Sequence, residues 1–114
     1  MGYFSTHYAH GKKFTFDSTQ LPFAELKDVV EQNGMKVMQV KGCFTYQAKF
    51  GERPAIVIST LKINLPDHCL SDVKRILEDQ EAIKLINEGH VGFEPSTYQD
   101  QNGVTRYTGK FIDI

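Results

Sequence analysis

A chain of 114 residues, 40% hydrophobic and 24% charged, has the length and composition of one globular domain spanning 1–114. A folded chain of this length buries roughly 65% of the surface its unfolded form exposes, which permits a core without disulfide or metal staples. Thirteen basic and fourteen acidic residues leave a formal charge of −1; this excludes the signature of disorder and weighs against a general nucleic-acid binder, which needs excess Lys and Arg to displace counterions.

Residues 3–10 and 13–17 are rich in aromatics and Thr, and His10-Gly11-Lys12 between them supplies a turn, so the pattern predicts a hairpin. Leu21-Pro22 then opens a helical pattern, with Phe23, Leu26, Val29 and Val30 on one side. Pro suits a first helical position because its missing N–H lacks a partner there anyway. Asn33-Gly34 is a stop signal, and the helix is expected over 22–33.

The next stretch, 35–47, reads as extended, with Met38, Val40, Phe44 and Tyr46 on one face and Gly42 at an expected bulge. Residues 55–63 read as a central strand, because Ala55-Ile56-Val57-Ile58 is apolar on both faces. Leu65-Pro66 opens a second, longer helix that ends at Glu88-Gly89; Asp79-Gln80 is placed to break or bend it. Two last strands, 90–98 and 104–112, flank Asn102-Gly103, the strongest short hairpin signal.

The two helix starts echo each other: Leu21-Pro22-x-x-x-Leu26-x-Asp28-Val29 matches Leu65-Pro66-x-x-x-Leu70-x-Asp72-Val73. Convergence on a well-made amphipathic helix accounts for the match as well as duplication does.

The expected fold class is α+β, in the order ββαββαββ. It has a mostly antiparallel six-stranded sheet with two helices on one face. Residues 13–98 within it follow the strand-helix-strand-strand-helix-strand order of a ferredoxin-like βαββαβ core. A tight N-terminal hairpin competes with that core, whose first strand needs neighbours on both sides.

No spacing identifies a reaction. Phosphate loops, nucleophile elbows and His-Glu-x-x-His patterns are all missing, so no catalytic residue is assigned and the expectation leans away from an enzyme. Asp67-His68-Cys69 at a helix start makes His68 and Cys69 the candidates for thiol chemistry, because helix N-termini stabilise thiolates. Burial of a packed thiol is the commoner outcome for Cys.

His7, His10 and His90 are the candidate metal ligands. Residues three apart on a strand point to opposite faces, so neither a metal nor any cofactor is expected. Lys41-Gly42-Cys43-Phe44-Thr45-Tyr46 resembles part of the aromatic signature of the RNA-recognition-motif family, in which alternating aromatics stack bases. The signature is incomplete and falls on the second core strand where that family carries it on the third, so the alternation is read as core packing. Lys12, Lys13, Lys36, Lys41 and Lys49 make a basic patch only if the fold gathers them.

Two cysteines and no charged-then-apolar leader point to reduced thiols and a cytoplasmic protein, and no apolar run reaches the length of a membrane span. Met1-Gly2 with Thr6 fits the loose myristoylation spacing, but Tyr3 and Phe4 read as a strand start and no polybasic second signal follows. The functional expectation is a protein-interaction, accessory or inhibitor module acting through a surface patch or sheet edge. Tyr3, Tyr8, Phe44, Tyr46 and Tyr107 are its candidate binding residues, and self-association as a homodimer is favoured. The alternative is a small-molecule binder or small enzyme with His and Cys side chains in a pocket.

Overall fold

The computed structural model describes residues 14–114. The expected strand at 3–10, with Tyr3, Tyr8, His7 and His10, lies outside these residues. The chain is α+β, and its described residues form three α-helices and two sheets of four and three strands. Its elements are β1 (Phe23–Glu25), α1 (Leu26–Asn33), β2 (Met38–Gln39), β3 (Gly42–Ala48), β4 (Gly51–Val57) and β5 (Lys62–Asn64). A 3-10 turn (Asp67–Cys69), α2 (Leu70–Leu77), α3 (Gln80–Asn87), β6 (Val91–Gln99) and β7 (Thr105–Asp113) complete it.

The expected single six-stranded sheet with two helices is therefore corrected, and so is its ferredoxin-like core. The larger sheet has the order β1-β5-β4-β3 and the smaller the order β2-β6-β7. The expected first core strand, 13–17, is no strand over its described residues, and β1 is instead a sheet edge, parallel to β5 and paired with no other described strand.

Tertiary pairing moved the first helix start. Lys62 N–H donates to Pro22 C=O at 2.9 Å, and Phe23–Glu25 runs beside Lys62–Asn64. Three residues that fit a first helical turn are thereby spent on a sheet edge, and α1 begins at Leu26. α1 then buries Leu26, Val29 and Val30, the i, i+3, i+4 stripe of an amphipathic helix. Gly34, at φ 81°, closes it by donating to Val30 C=O at 2.7 Å. Residues 14–20 form no strand: the Asp17 carboxylate accepts from the Thr19 N–H and hydroxyl, and Leu21 N–H donates to Ser18 C=O, which makes a turn.

The long second helix is three pieces. Pro66 leads into the 3-10 turn, and α2 starts at Leu70, the counterpart of Leu26 in the sequence echo. Asp79 takes an extended conformation, and its carboxylate accepts from Glu81 and Ala82 N–H, which caps α3 and ends α2. The β6–β7 hairpin matches its expected bounds to within one residue at each end.

The extended stretch 38–48 belongs to both sheets. Met38 and Gln39 pair with β6, Val40 N–H donates to Val91 C=O, and Lys41 N–H donates to Val57 C=O. Beyond that crossing, Gly42–Ala48 pairs antiparallel with β4. One core spans the junction: Val40, Cys43, Ile56, Ile63, Leu65, Val73, Ile86 and Phe93 belong to the same buried cluster as the α1 stripe. Among the described residues no helix is long and apolar enough to cross a membrane.

Candidate functional site

Period-two alternation gives β3 two different faces. Cys43 points into the core and is 3% exposed. Phe44 and Tyr46 point the other way and lie outside the buried cluster, so the reading of this alternation as core packing is corrected. Their rings meet Phe23 of β1 at 6.0 and 5.6 Å between centroids, edge-on or tilted, and each other at 6.0 Å. Small residues make the convergence possible. Ala55 pairs with Phe44 in the ladder and is fully buried, and the rings close over that part of β4.

Polar groups surround the ring cluster. Lys62 Nζ sits 4.6 Å from the Phe23 ring centroid, a cation–π contact. The Tyr46 hydroxyl donates to Asn64 Oδ1, and Asn64 Nδ2 donates to Glu25 Oε2 at 2.6 Å. Glu52 turns to the opposite side of β4, where Lys74 Nζ lies 2.7 Å away and the Thr45 hydroxyl donates at 2.6 Å. Those two hydrogen bonds, Lys74 first, hold the Glu52 carboxyl below the usual carboxylate range. At the β3–β4 turn, Phe50 is 94% exposed, with Lys49 Nζ 5.5 Å from its ring centroid.

A cleft of about 720 Å³ continues this face. One wall comes from Glu25, Leu26 and Lys27 at the start of α1 and from Asn64–His68 after β5. Tyr98 and Val104–Tyr107 of the β6–β7 hairpin form the other wall, and Arg53 of β4 lies between. The Asp100 carboxylate shapes the hairpin end by accepting from the N–H groups of Asn102 and Val104 and from Arg106 Nε at 2.9 Å. These bonds, the one from Val104 foremost, lower the Asp100 pKa.

His68 and Cys69 are near neighbours that do not work as a pair. The His68 ring meets Tyr98 edge-on at 6.2 Å, and its Nε2 lies in hydrogen-bond contact with the Thr108 hydroxyl. Cys69 is 2% exposed, and burial raises its pKa against a hydrogen bond with Thr108 that lowers it; the Asp72 charge adds to the rise. The group is thus held as a thiol, the opposite of an activated thiolate. Cys43, whose thiol has no lowering hydrogen bond to offset its burial, is pushed up to about 12. His90 is exposed at the start of β6, away from the cleft lining. Among the described residues no group of three or more His, Cys, Asp or Glu could hold a metal ion.

Of the sequence-derived binding candidates, the fold joins Phe44 and Tyr46 in one ring cluster and sets Tyr107 in the cleft wall, where it also packs on the core. Phe23, Arg53, Lys62 and Tyr98 escaped notice. Phe23 read as the buried side of a helix, and the others carry no local signal. The chain matches no protein-family model, no curated protein and no solved structure.

Proposed function

We propose that the chain is a non-enzymatic binding module that carries a single-stranded nucleic acid across the outer face of β3, β4 and β5 and into the adjoining cleft. The observation that carries this reading is the ring cluster of Phe23, Phe44 and Tyr46 beside Lys62, continuous with a cleft that contains Arg53, His68, Tyr98 and Tyr107. Aromatic side chains in a basic groove are what sequence-tolerant single-strand binding uses, at about 1–3 kcal/mol per stacked base.

The topology supports it. Taken as one strand, 38–48 is antiparallel to β4 on one part of its length and to β6 on another. β4 pairs antiparallel with β5, the helical segment 67–87 follows, and β6 pairs antiparallel with β7. That order is similar to the one in an open, five-stranded Greek-key barrel of the oligonucleotide- and oligosaccharide-binding type. Its ligands lie on the second and third strands, between the loops after the first and fourth. Those positions here are β4, β5, Lys49-Phe50 and Asp100–Val104. The β1–α1 unit fills the remaining gap, since α1 packs against both β5 and β7. Fold alone does not give function, so the side chains on the face carry the argument.

The charge of the whole chain points the other way, yet charge on one face is what a ligand meets. Lys27, Arg53, Lys62 and Arg106 line or flank the face. Of its acids, Glu25 is engaged by Asn64 and Asp100 by Arg106, while Asp67 pairs with Arg53.

Fluorescence anisotropy with a labelled oligothymidylate of about 16 nucleotides tests the reading. Salt-sensitive binding of the single strand, weaker for a duplex of the same length, is the expected result. No binding at low salt would overturn it. A protein partner or a second copy is the second reading, favoured by Val37 and Ile114, which are about half exposed and flank Gly92. Light scattering that returned a mass near 13.0 kDa at all concentrations would remove the homodimer.

A further inference from the structure

We infer that Arg53 is the phosphate clamp of this face and that Asp67 is a built-in competitor for it; the inference rests on the single-strand reading above. Arg53 projects from β4 directly opposite Tyr46, at the point where the ring-bearing face meets the cleft. Its guanidinium is loosely held. Nη2 donates to Leu65 C=O at 3.4 Å, the long limit of a hydrogen bond, and Nε lies 3.2 Å from Asp67 Oδ1. That contact is an ion pair without hydrogen-bond alignment: among the described residues the buried Nε has no hydrogen-bond partner. A guanidinium offers five donors in a planar fork, and most of this fork is unspent.

Asp67 is a weak rival. Its side chain is 81% exposed, so water screens the pair, and it stands at the start of a 3-10 turn where it can rotate away. A phosphodiester shares one negative charge over two non-bridging oxygens at the spacing of the fork and forms paired, charge-assisted hydrogen bonds that Asp67 does not form here. The surroundings suit a nucleotide on either side of that phosphate. Tyr46 and its ring cluster lie towards β3, and Tyr98 and Tyr107 lie across the cleft. The other cations of the cleft fit less well: Arg106 Nε is spent on Asp100 at 2.9 Å, and Lys27 is a point charge without a fork.

The experiment measures oligothymidylate affinity against salt for the full chain and for Arg53→Gln, Arg53→Lys and Asp67→Asn, with thermal melts as folding controls. For single strands, each phosphate contact contributes about 0.7 to the slope of log K against log salt. Arg53→Gln is expected to lose about that much slope and to weaken binding roughly tenfold at low salt. Arg53→Lys restores the slope but not the full affinity, because the charge returns without the fork. Asp67→Asn tightens binding several-fold, and since its side chain is exposed it stays informative even if the Arg53 variants unfold. An unchanged slope in a folded Arg53→Gln, or an Asp67→Asn that binds no tighter, overturns the inference while the wild type still binds. A wild type that binds no oligonucleotide overturns the single-strand reading itself.

Discussion

The two faces of Gly42–Ala48 carry opposite jobs within one strand. Inward, Cys43 is sealed in the common core, beside its ladder partner Ile56. Outward, Phe44 and Tyr46 build a ring cluster with Phe23 that solvent still reaches. The outward face is the more aromatic, since Thr45 and Gln47 share the inward side with Cys43. Coverage also separates them among the described residues: α2 packs on the inner side, where Lys74 reaches Glu52, while the Phe44 and Tyr46 rings meet Phe23 of the neighbouring edge strand. The proposed function uses the ring-bearing side, and the buried side serves the core.

Truncation on the two sides should therefore have different readouts. The largest loss belongs inside. Phe93 is fully buried, stacks edge-on against Phe111 at 5.4 Å and fills the space that a Gly109 side chain would need. Phe93→Ala is expected to cost about 3–5 kcal/mol in chemical denaturation. Phe44→Ala with Tyr46→Ala should separate the faces most clearly. Single-strand affinity should fall by about 1–3 kcal/mol for each base that loses its ring, with a smaller change in stability. An equal loss of stability with unchanged binding would make the outer face a second core and end the comparison.

A smaller effect tests the helix break beneath the inner face. Asp79→Ala removes the cap of α3 and should cost about 1 kcal/mol without touching affinity. The smallest effects are pH-dependent. Cys43 ionises near 9.0 when unfolded and near 12 when buried. Its contribution to stability is complete below the lower value and declines as pH rises towards the higher one. Alkaline denaturation curves should show that decline, and Cys43→Ala should flatten it. Asp100 has the opposite sign. Its folded pKa is lowered by the Val104 and Arg106 bonds, so the stability it adds is present above the ordinary carboxylate range and lost as pH falls through the folded value. Asp100→Asn should remove that part of the acid dependence.

Local signals were the legible ones. Asn102-Gly103 marks a real turn, with Gly103 at φ 75°, and Asn33-Gly34 and Glu88-Gly89 end real helices with Gly34 and Gly89 at φ 81° and 84°. Asp79 marks a real break. Each rests on a backbone conformation or a hydrogen bond spanning a few residues, which a short stretch of chain specifies by itself. The site was legible only in fragments. The alternation of Phe44 and Tyr46 was visible, but the direction of that face was not, because period two fixes that faces differ without saying which one is covered.

The amino-acid sequence alone determined the α+β class, the hairpin at the C-terminal end, the helix stops and the amphipathic stripes of the helices. Tertiary structure decided the rest. It converted Phe23–Glu25 from a helix start into a sheet edge, shared 38–48 between two sheets, and brought Phe23 to Phe44 and Arg53 to Asp67. The physical reason is range. Turns and caps are settled by energies within a few residues, whereas strand partners and a shared face depend on segments far apart in the chain competing for the same backbone donors and the same apolar cover.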